Sequence, residues 1–208
     1  MNKELSVILR DKIADAPYLE RLSGLVQVFE KTIAVDGEAG RTIKKKIPVT
    51  SFATFQECES NNQAQVAMVP NSKYKGILYF EDGGINTPTP SRGGMQYISR
   101  LRLVCWLNTK LITGQTDMSL TTRVIADILG RFAGNPFNVS PFTKIAVKVA
   151  NIPAQDKSIF SPYDYSEAET QYLMAPFEYF ALDLNISYTI PFLCVTDISV
   201  TEDPNTCL

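Results

Sequence analysis

The feature that most constrains the fold is a long alternating run near the C-terminal end of the chain. In residues 178–190, EYFALDLNISYTI, every second position from Phe180 to Ile190 is apolar or aromatic. A period of two is typical of a half-buried β-strand. At about 3.3 Å per residue such a strand would extend about 43 Å, whereas most strands have about five or six residues. The run therefore predicts a sheet with long strands.

A second long strand is predicted over residues 95–108, MQYISRLRLVCWLN. Arg100 and Arg102 fall on its more polar face. Val104 and Trp106 extend apolar character onto that same face, so we expect part of it to be covered. The sequence also predicts a hairpin from LVQVFEKTIAV (25–35) and RTIKKKIPVTSF (41–52), and strands at 66–69, 76–80 and 143–152. Pro48 restricts the second arm of the hairpin to an edge or an end of the sheet.

Two amphipathic helices are predicted, over residues 3–15 and 119–133. In the second, Leu120, Val124, Ile125, Ile128, Leu129 and Phe132 form one apolar stripe. Arg123 lies on the opposite side, and Asp117 or Ser119 can serve as the N-cap. Such a helix is expected to pack its stripe on a sheet.

This order of elements predicts an α+β fold, a mainly antiparallel sheet with one or two helices packed on a face. At 208 residues and 45% hydrophobic content, the chain is predicted to be a single domain over residues 1–208. Residues 81–94, with four glycines and two prolines, predict a long exposed loop. A second long connection is expected at 153–176, and a frayed tail at the C-terminus.

Composition excludes most catalytic chemistry. The chain has no histidine, and its four cysteines are scattered, so Ser-His and Cys-His nucleophiles and the usual zinc sites are excluded. The acids considered for catalysis are Glu81 with Asp82, and Asp164 with Glu167 and Glu169. Acids clustered on loops are usually only solvated. We therefore expect no enzyme activity, no cofactor and no bound metal.

Charge and hydropathy indicate which partners and which cellular location to expect. The net charge of −2 does not favour a protein that grips nucleic acid. Lys44, Lys45 and Lys46 are interpreted as a solvated strand or hairpin tip. No run approaches the roughly 18 apolar residues of a membrane span, and the N-terminal residues do not resemble a secretory signal. We therefore expect a protein made in a cytoplasm and not attached to a membrane.

The two long connections are the candidate interface. Aromatic side chains beside acids suit an interface with an apolar centre and a polar rim. The candidate residues are Phe160, Tyr163, Tyr165 and Tyr172 in the second connection, and Thr87 and Thr89 in the first. The alternative is that the aromatic side chains fold back onto their own domain.

From about residue 3 to 195 the chain resembles the tail terminator or tail-completion proteins of tailed bacteriophages. The resemblance lies in the order of the first helix, LVQVFEKTIAV, YISRLRLVCWLN, SLTTRVIADILGRF, TKIAVKVANI and EYFALDLNISYTI. It implies a subunit of a homo-oligomeric ring, a hexamer or larger, in the virion neck or at the head-proximal end of the tail. Such a ring would be assembled in the host cytoplasm, contact portal or adaptor and tail-tube proteins, and let DNA pass without specific binding.

Two alternatives to this function stay open. One is a non-viral intracellular binding or assembly module of the same α+β fold. The other is a small enzyme that works without histidine.

Overall fold

The computed structural model describes residues 1–34, 42–50, 66–116, 118–132, 136–164 and 171–192. These residues form an α+β fold with eight strands in one sheet, three α-helices and two short 3₁₀ helices. In chain order, the elements are α1 (Asn2–Lys12), β1 (Arg21–Ala34), β2 (Thr42–Thr50), β3 (Gly76–Ile85), β4 (Thr89–Ser91), β5 (Gly94–Asn108), α2 (Thr109–Thr113), α3 (Thr121–Phe132), β6 (Phe137–Val139), β7 (Phe142–Asn151), the 3₁₀ helices Lys157–Phe160 and Gln171–Leu173, and β8 (Phe177–Pro191).

The sheet has the order β2-β1-β3-β5-β8-β7-β6, and the short strand β4 pairs with β5. Every strand pair is antiparallel except β1 with β3. The two long strands predicted from the sequence, β5 and β8, are paired with each other over their whole length. The predicted fold class, a mainly antiparallel sheet with helices packed on it, is confirmed.

One face of the sheet is covered by α1 and α3. Leu5 and Leu9 of α1 and Ile128 of α3 are almost fully buried against strand residues such as Leu103 and Leu182. The predicted stripe of α3 therefore faces the sheet, while Arg123 is exposed. Burial of one such aliphatic side chain contributes about 1.5–3 kcal/mol, so this face contains most of the hydrophobic stabilisation.

The described residues cover the opposite face of the sheet over only part of its area. Val104 and Trp106 are buried there, as the sequence predicted. Their cover comes from the 3₁₀ segments in residues 157–173. Cys105 is fully buried on the helix-covered side, where it packs as a small hydrophobic residue. Cys58, Cys194 and Cys207 lie outside the described residues.

The expectation of a long loop at 81–94 is wrong. β3 continues to Ile85, and β4 pairs with the first residues of β5. The glycines fit this arrangement, because a Cβ on Gly83 would lie 2.9 Å from Arg100 Cβ and because Gly84 and Gly93 have positive φ. Strand β5 is long enough to supply backbone partners for this segment, which the local composition does not reveal.

Smaller differences between the sequence predictions and the structure concern the hairpin and the residues near it. Residues 66–69 do not form the expected strand, because Ala67 makes only an isolated bridge to Val49. Pro48 lies on β2 at one end of the sheet, as expected. The short helix or loop expected at 52–65 lies outside the described part. None of the helices in the described ranges is long and apolar enough to cross a membrane.

Candidate functional site

The aromatic residues of the second connection are packed inside their own chain. Phe160 is 3% exposed and Tyr163 is 7% exposed. The ring of Tyr172 contacts Trp106 edge-on, with 6.5 Å between the ring centroids. The interface prediction for Phe160 and Tyr163 is therefore wrong, because these side chains cover Trp106 and Tyr79 on the sheet instead of facing solvent. Tyr165 lies outside the described residues.

Thr87 and Thr89 are exposed but far from the aromatic cluster. Thr89 pairs with Gln96 on β5, ten positions before Trp106 on the same strand. Ten residues of strand correspond to roughly 33 Å. The five predicted residues that the structure describes thus do not form one site.

Beyond the aromatic cover, the same face of the sheet bears a row of charged and polar side chains across four strands, and no other described segment packs over this row. The row is Glu81 on β3, Arg102 on β5, Asp183 on β8 and Asn151 on β7, and neighbours in it are paired in register. Arg102 Nε donates to Asp183 Oδ1 at 2.7 Å, and Asn151 Nδ2 donates to Asp183 Oδ2 at 3.4 Å. We call this set the paired row.

Glu81 is the last residue of the paired row on the β3 side, and it lies beside the aromatic cluster. The Tyr163 hydroxyl donates to Glu81 Oε1 at 2.6 Å. Burial raises the pKa of Glu81 above its ordinary value, although the hydrogen bond from Tyr163 acts in the opposite direction. The carboxylate is therefore held by a structural partner and is partly desolvated.

A second row runs beside the first, two residues away on β5 and β8 and three residues away on β7, where the register shifts between Val149 and Asn151. Arg100 on β5 is opposite Asn185 on β8, which is opposite Lys148 on β7. Residues directly opposite each other share one face of a sheet. Arg100 and Lys148 are exposed, and neither makes an ion pair or side-chain hydrogen bond with any residue in the described ranges. We call this set the open row.

Residues of both rows on β3, β5 and β8 line a shallow trough of about 470 Å³. Its lining includes Glu81, Arg100, Arg102, Asp183 and Asn185. The sequence predicted that Arg100 and Arg102 lie on the more polar face of their strand. It could not predict that Asp183 and Asn185 lie beside them, because the pairing register of β5 and β8 is a long-range property.

Glu81 and Asp82, which the sequence offered as a possible catalytic pair, do not form an acid pair in the trough. Glu81 and Asp82 are consecutive on β3, so their side chains point to opposite faces and cannot act as a pair. Asp82 accepts instead from Asn2 Nδ2 at 2.5 Å. Asp164 is bonded to the backbone of Lys46, and Glu167 and Glu169 lie outside the described residues. Within the described ranges, no group of three acids or cysteines could hold a metal ion.

A different surface is formed by the part of the hairpin in which β1 no longer pairs with β3, namely Val26–Ala34 of β1 and Thr42–Thr50 of β2. We call it the hairpin arm. β1 last pairs with β3 at Leu25, whereas its pairing with β2 continues to Ala34. Val28 is 53% exposed and Phe29 is 44% exposed. Because they are consecutive on a strand, these two apolar side chains point to opposite faces of the arm.

The base of the hairpin arm is anchored on its β2 side. Met68 N donates to Pro48 O at 2.8 Å, and Thr50 N donates to Val66 O at 3.0 Å. Further along β2, Asp164 N donates to Lys46 O at 2.8 Å. The arm is thus fixed in position while Val28 and Phe29 remain exposed.

Comparison of the chain with protein-family models, curated protein sequences and solved structures gave no match.

Proposed function

We propose that the chain is a structural subunit of a ring at the neck of a tailed phage or at the head-proximal end of its tail. The observation that carries the proposal is the hairpin arm with its exposed Val28 and Phe29. The α+β fold and the element order are those expected from the resemblance to tail-completion proteins.

The arm suits a contact with a neighbouring subunit. An isolated two-stranded hairpin is marginally stable in water. Exposed apolar side chains on such a hairpin gain stability when another surface covers them, and full burial of a phenylalanine contributes about 1.5–3 kcal/mol. The anchored base holds Val28 and Phe29 in place, which lowers the entropy that ordering the arm would cost on assembly.

The position of the arm favours a ring over a two-fold dimer. The arm belongs to the β2 end of the sheet, and β7 with β6 forms the other end. An arm that contacts a different surface of the next subunit makes a head-to-tail contact, which closes into a ring when the rotation permits. With a net charge of −2, such a ring would let DNA pass without holding its phosphates. Portal or adaptor and tail-tube proteins are the proposed neighbours.

Substitution of Phe29 tests the role of the arm. Phe29→Asp places a charge in the proposed contact, so we expect it to abolish assembly while leaving the melting temperature of the monomer nearly unchanged. Met174→Asp is the matched control, because Met174 is 63% exposed and lies away from the arm. The measurement is the mass of each purified variant in solution by light scattering.

The masses of the wild type and the two variants distinguish the possible explanations. Wild type and Met174→Asp should form the same large species, and Phe29→Asp should remain a single chain. Assembly of Phe29→Asp equal to that of the wild type would remove the arm from the contact. A wild-type assembly that binds no phage neck or tail component would instead support the non-viral assembly module.

A further inference from the structure

We propose that the open row, Arg100–Asn185–Lys148, is a binding site for a phosphate group on the uncovered face of the sheet. The inference is independent of ring formation. It rests on the register of three adjacent strands and on the charges that this register leaves without partners.

The register brings two cations and an amide to one line. Asn185 is the cross-strand partner of both Arg100 and Lys148. Neighbouring strands are about 4.8 Å apart, so the two cationic residues are separated by roughly 10 Å at their Cα atoms. Arginine and lysine side chains are long enough for both head groups to converge on one anion above Asn185. The amide of Asn185 can then donate a third hydrogen bond.

Neither carboxylate of the neighbouring row forms an ion pair with these cations. Asp183 is engaged by Arg102 at 2.7 Å, and Glu81 accepts from Tyr163 at 2.6 Å. Arg100 and Lys148 have no such partner among the described residues. The paired row thus forms a fixed wall of the trough, and the open row is the part with charges available to a ligand.

The remaining surroundings leave room for the ligand. Gly83 lies against Arg100, and any side chain there would collide with Arg100 Cβ. On the far side, the next cross-strand line contains Ile98, Ser187 and Ala146, none of which is charged. The trough is therefore open above Arg100 and Asn185.

A phosphate matches this set better than a carboxylate does. A free phosphate carries between one and two negative charges at neutral pH and a phosphodiester carries one, and the tetrahedral group offers more oxygens to three donors than the two of a carboxylate. The planar guanidinium of Arg100 can bind two of these oxygens at once, while Lys148 contributes a point charge. Such a group could come from free inorganic phosphate or from the backbone of a nucleic acid.

Titration of the full chain tests the site. Inorganic phosphate, acetate and a short oligothymidylate would each be added at low salt, with binding followed by amide chemical shifts. Arg100→Ala and Lys148→Ala should each weaken phosphate binding about tenfold, since one charge-assisted hydrogen bond is lost. Arg123→Ala and Lys110→Ala, which change exposed residues on helices, should bind as the wild type does.

Each outcome supports or overturns the proposal. Loss of phosphate binding confined to the two open-row variants supports it. Oligothymidylate binding with the same dependence on Arg100 and Lys148 supports a phosphodiester as the source. Acetate binding as tight as phosphate binding, equal losses in the control variants, or no binding of phosphate and oligothymidylate by the wild type would overturn it.

Discussion

At the scale of single residues, Glu178 joins α3 to the sheet. Its Oε2 accepts from Leu120 N, Thr121 N and Thr121 Oγ1, each at 2.8 Å. Helix N-termini leave backbone donors without partners and favour negative charge. A carboxylate on β8 therefore caps a helix that is nearly sixty residues away in sequence.

The pKa of Glu178 shows how this cap responds to acid. Burial alone would raise the pKa of Glu178, but the hydrogen bonds from Ser119, Thr121 and the backbone hold it below its ordinary value. A carboxyl group whose pKa is depressed by folding stabilises the protein at neutral pH. That stabilisation is lost as the pH falls through the depressed pKa.

Replacement of Glu178 by glutamine should measure the cap. Glu178→Gln is expected to lower the free energy of unfolding by about 1 kcal/mol at neutral pH. The difference from the wild type should shrink as the pH falls below the ordinary carboxyl range, because the wild-type carboxylate is then protonated. Urea unfolding at a series of pH values measures both quantities. A difference that stays constant with pH would contradict the account of the charge.

The roles of single residues were the hardest to predict from the sequence. Asp117 and Ser119 were the expected caps; Ser119 hydrogen-bonds Glu178, and Asp117 lies outside the described residues. Nothing local marks Glu178 as a capping residue, since its role depends on how β8 is placed under α3. Phe160 and Tyr163 failed for the same reason, because only the fold shows that they cover Tyr79 and Trp106.

At the scale of elements, periodicity predicted what the structure contains. The predicted helix at 119–133 is found at Thr121–Phe132, and the predicted strand at 95–108 is found at Gly94–Asn108. These segments follow their periods over three or more turns or many strand residues, so tertiary contacts reinforce the local pattern. The error at 81–94 arose where the pairing partner, not the local composition, determines the structure.

A pair of substitutions tests the orientation of α3. Ile128 is fully buried, so Ile128→Asp places an unpaired charge in the core and should cost several kcal/mol. Arg123 is exposed, and Arg123→Asp should be nearly neutral. Thermal unfolding of both variants is the measurement. Similar melting temperatures for the two would show that the assigned helix face is wrong.

At the scale of the whole molecule, the sheet separates two differently covered faces. Among the described residues, one face is covered by α1 and α3, and the other is covered by the aromatic segment near Trp106. The sequence predicted that part of the second face would be covered, from Val104 and Trp106. It could not predict the trough, the open row or the length of the hairpin arm, since each depends on strand register.

The proposed assembly surface, the hairpin arm, is one that the sequence pattern did not indicate. The predicted interface aromatics Phe160 and Tyr163 are in the core, whereas Val28 and Phe29 of the arm are exposed. In the hairpin run these two residues conform to an ordinary strand pattern. Only the end of the pairing between β1 and β3 at Leu25 shows that Val28 and Phe29 lie where β1 has separated from β3.

Electron microscopy of the purified wild-type protein over a range of concentrations tests whether the chain forms a ring. We expect closed rings of several copies with an open lumen, formed by the chain alone or on addition of a phage neck or tail component. Particles that remain single chains at every concentration, with or without such a component, would contradict this expectation.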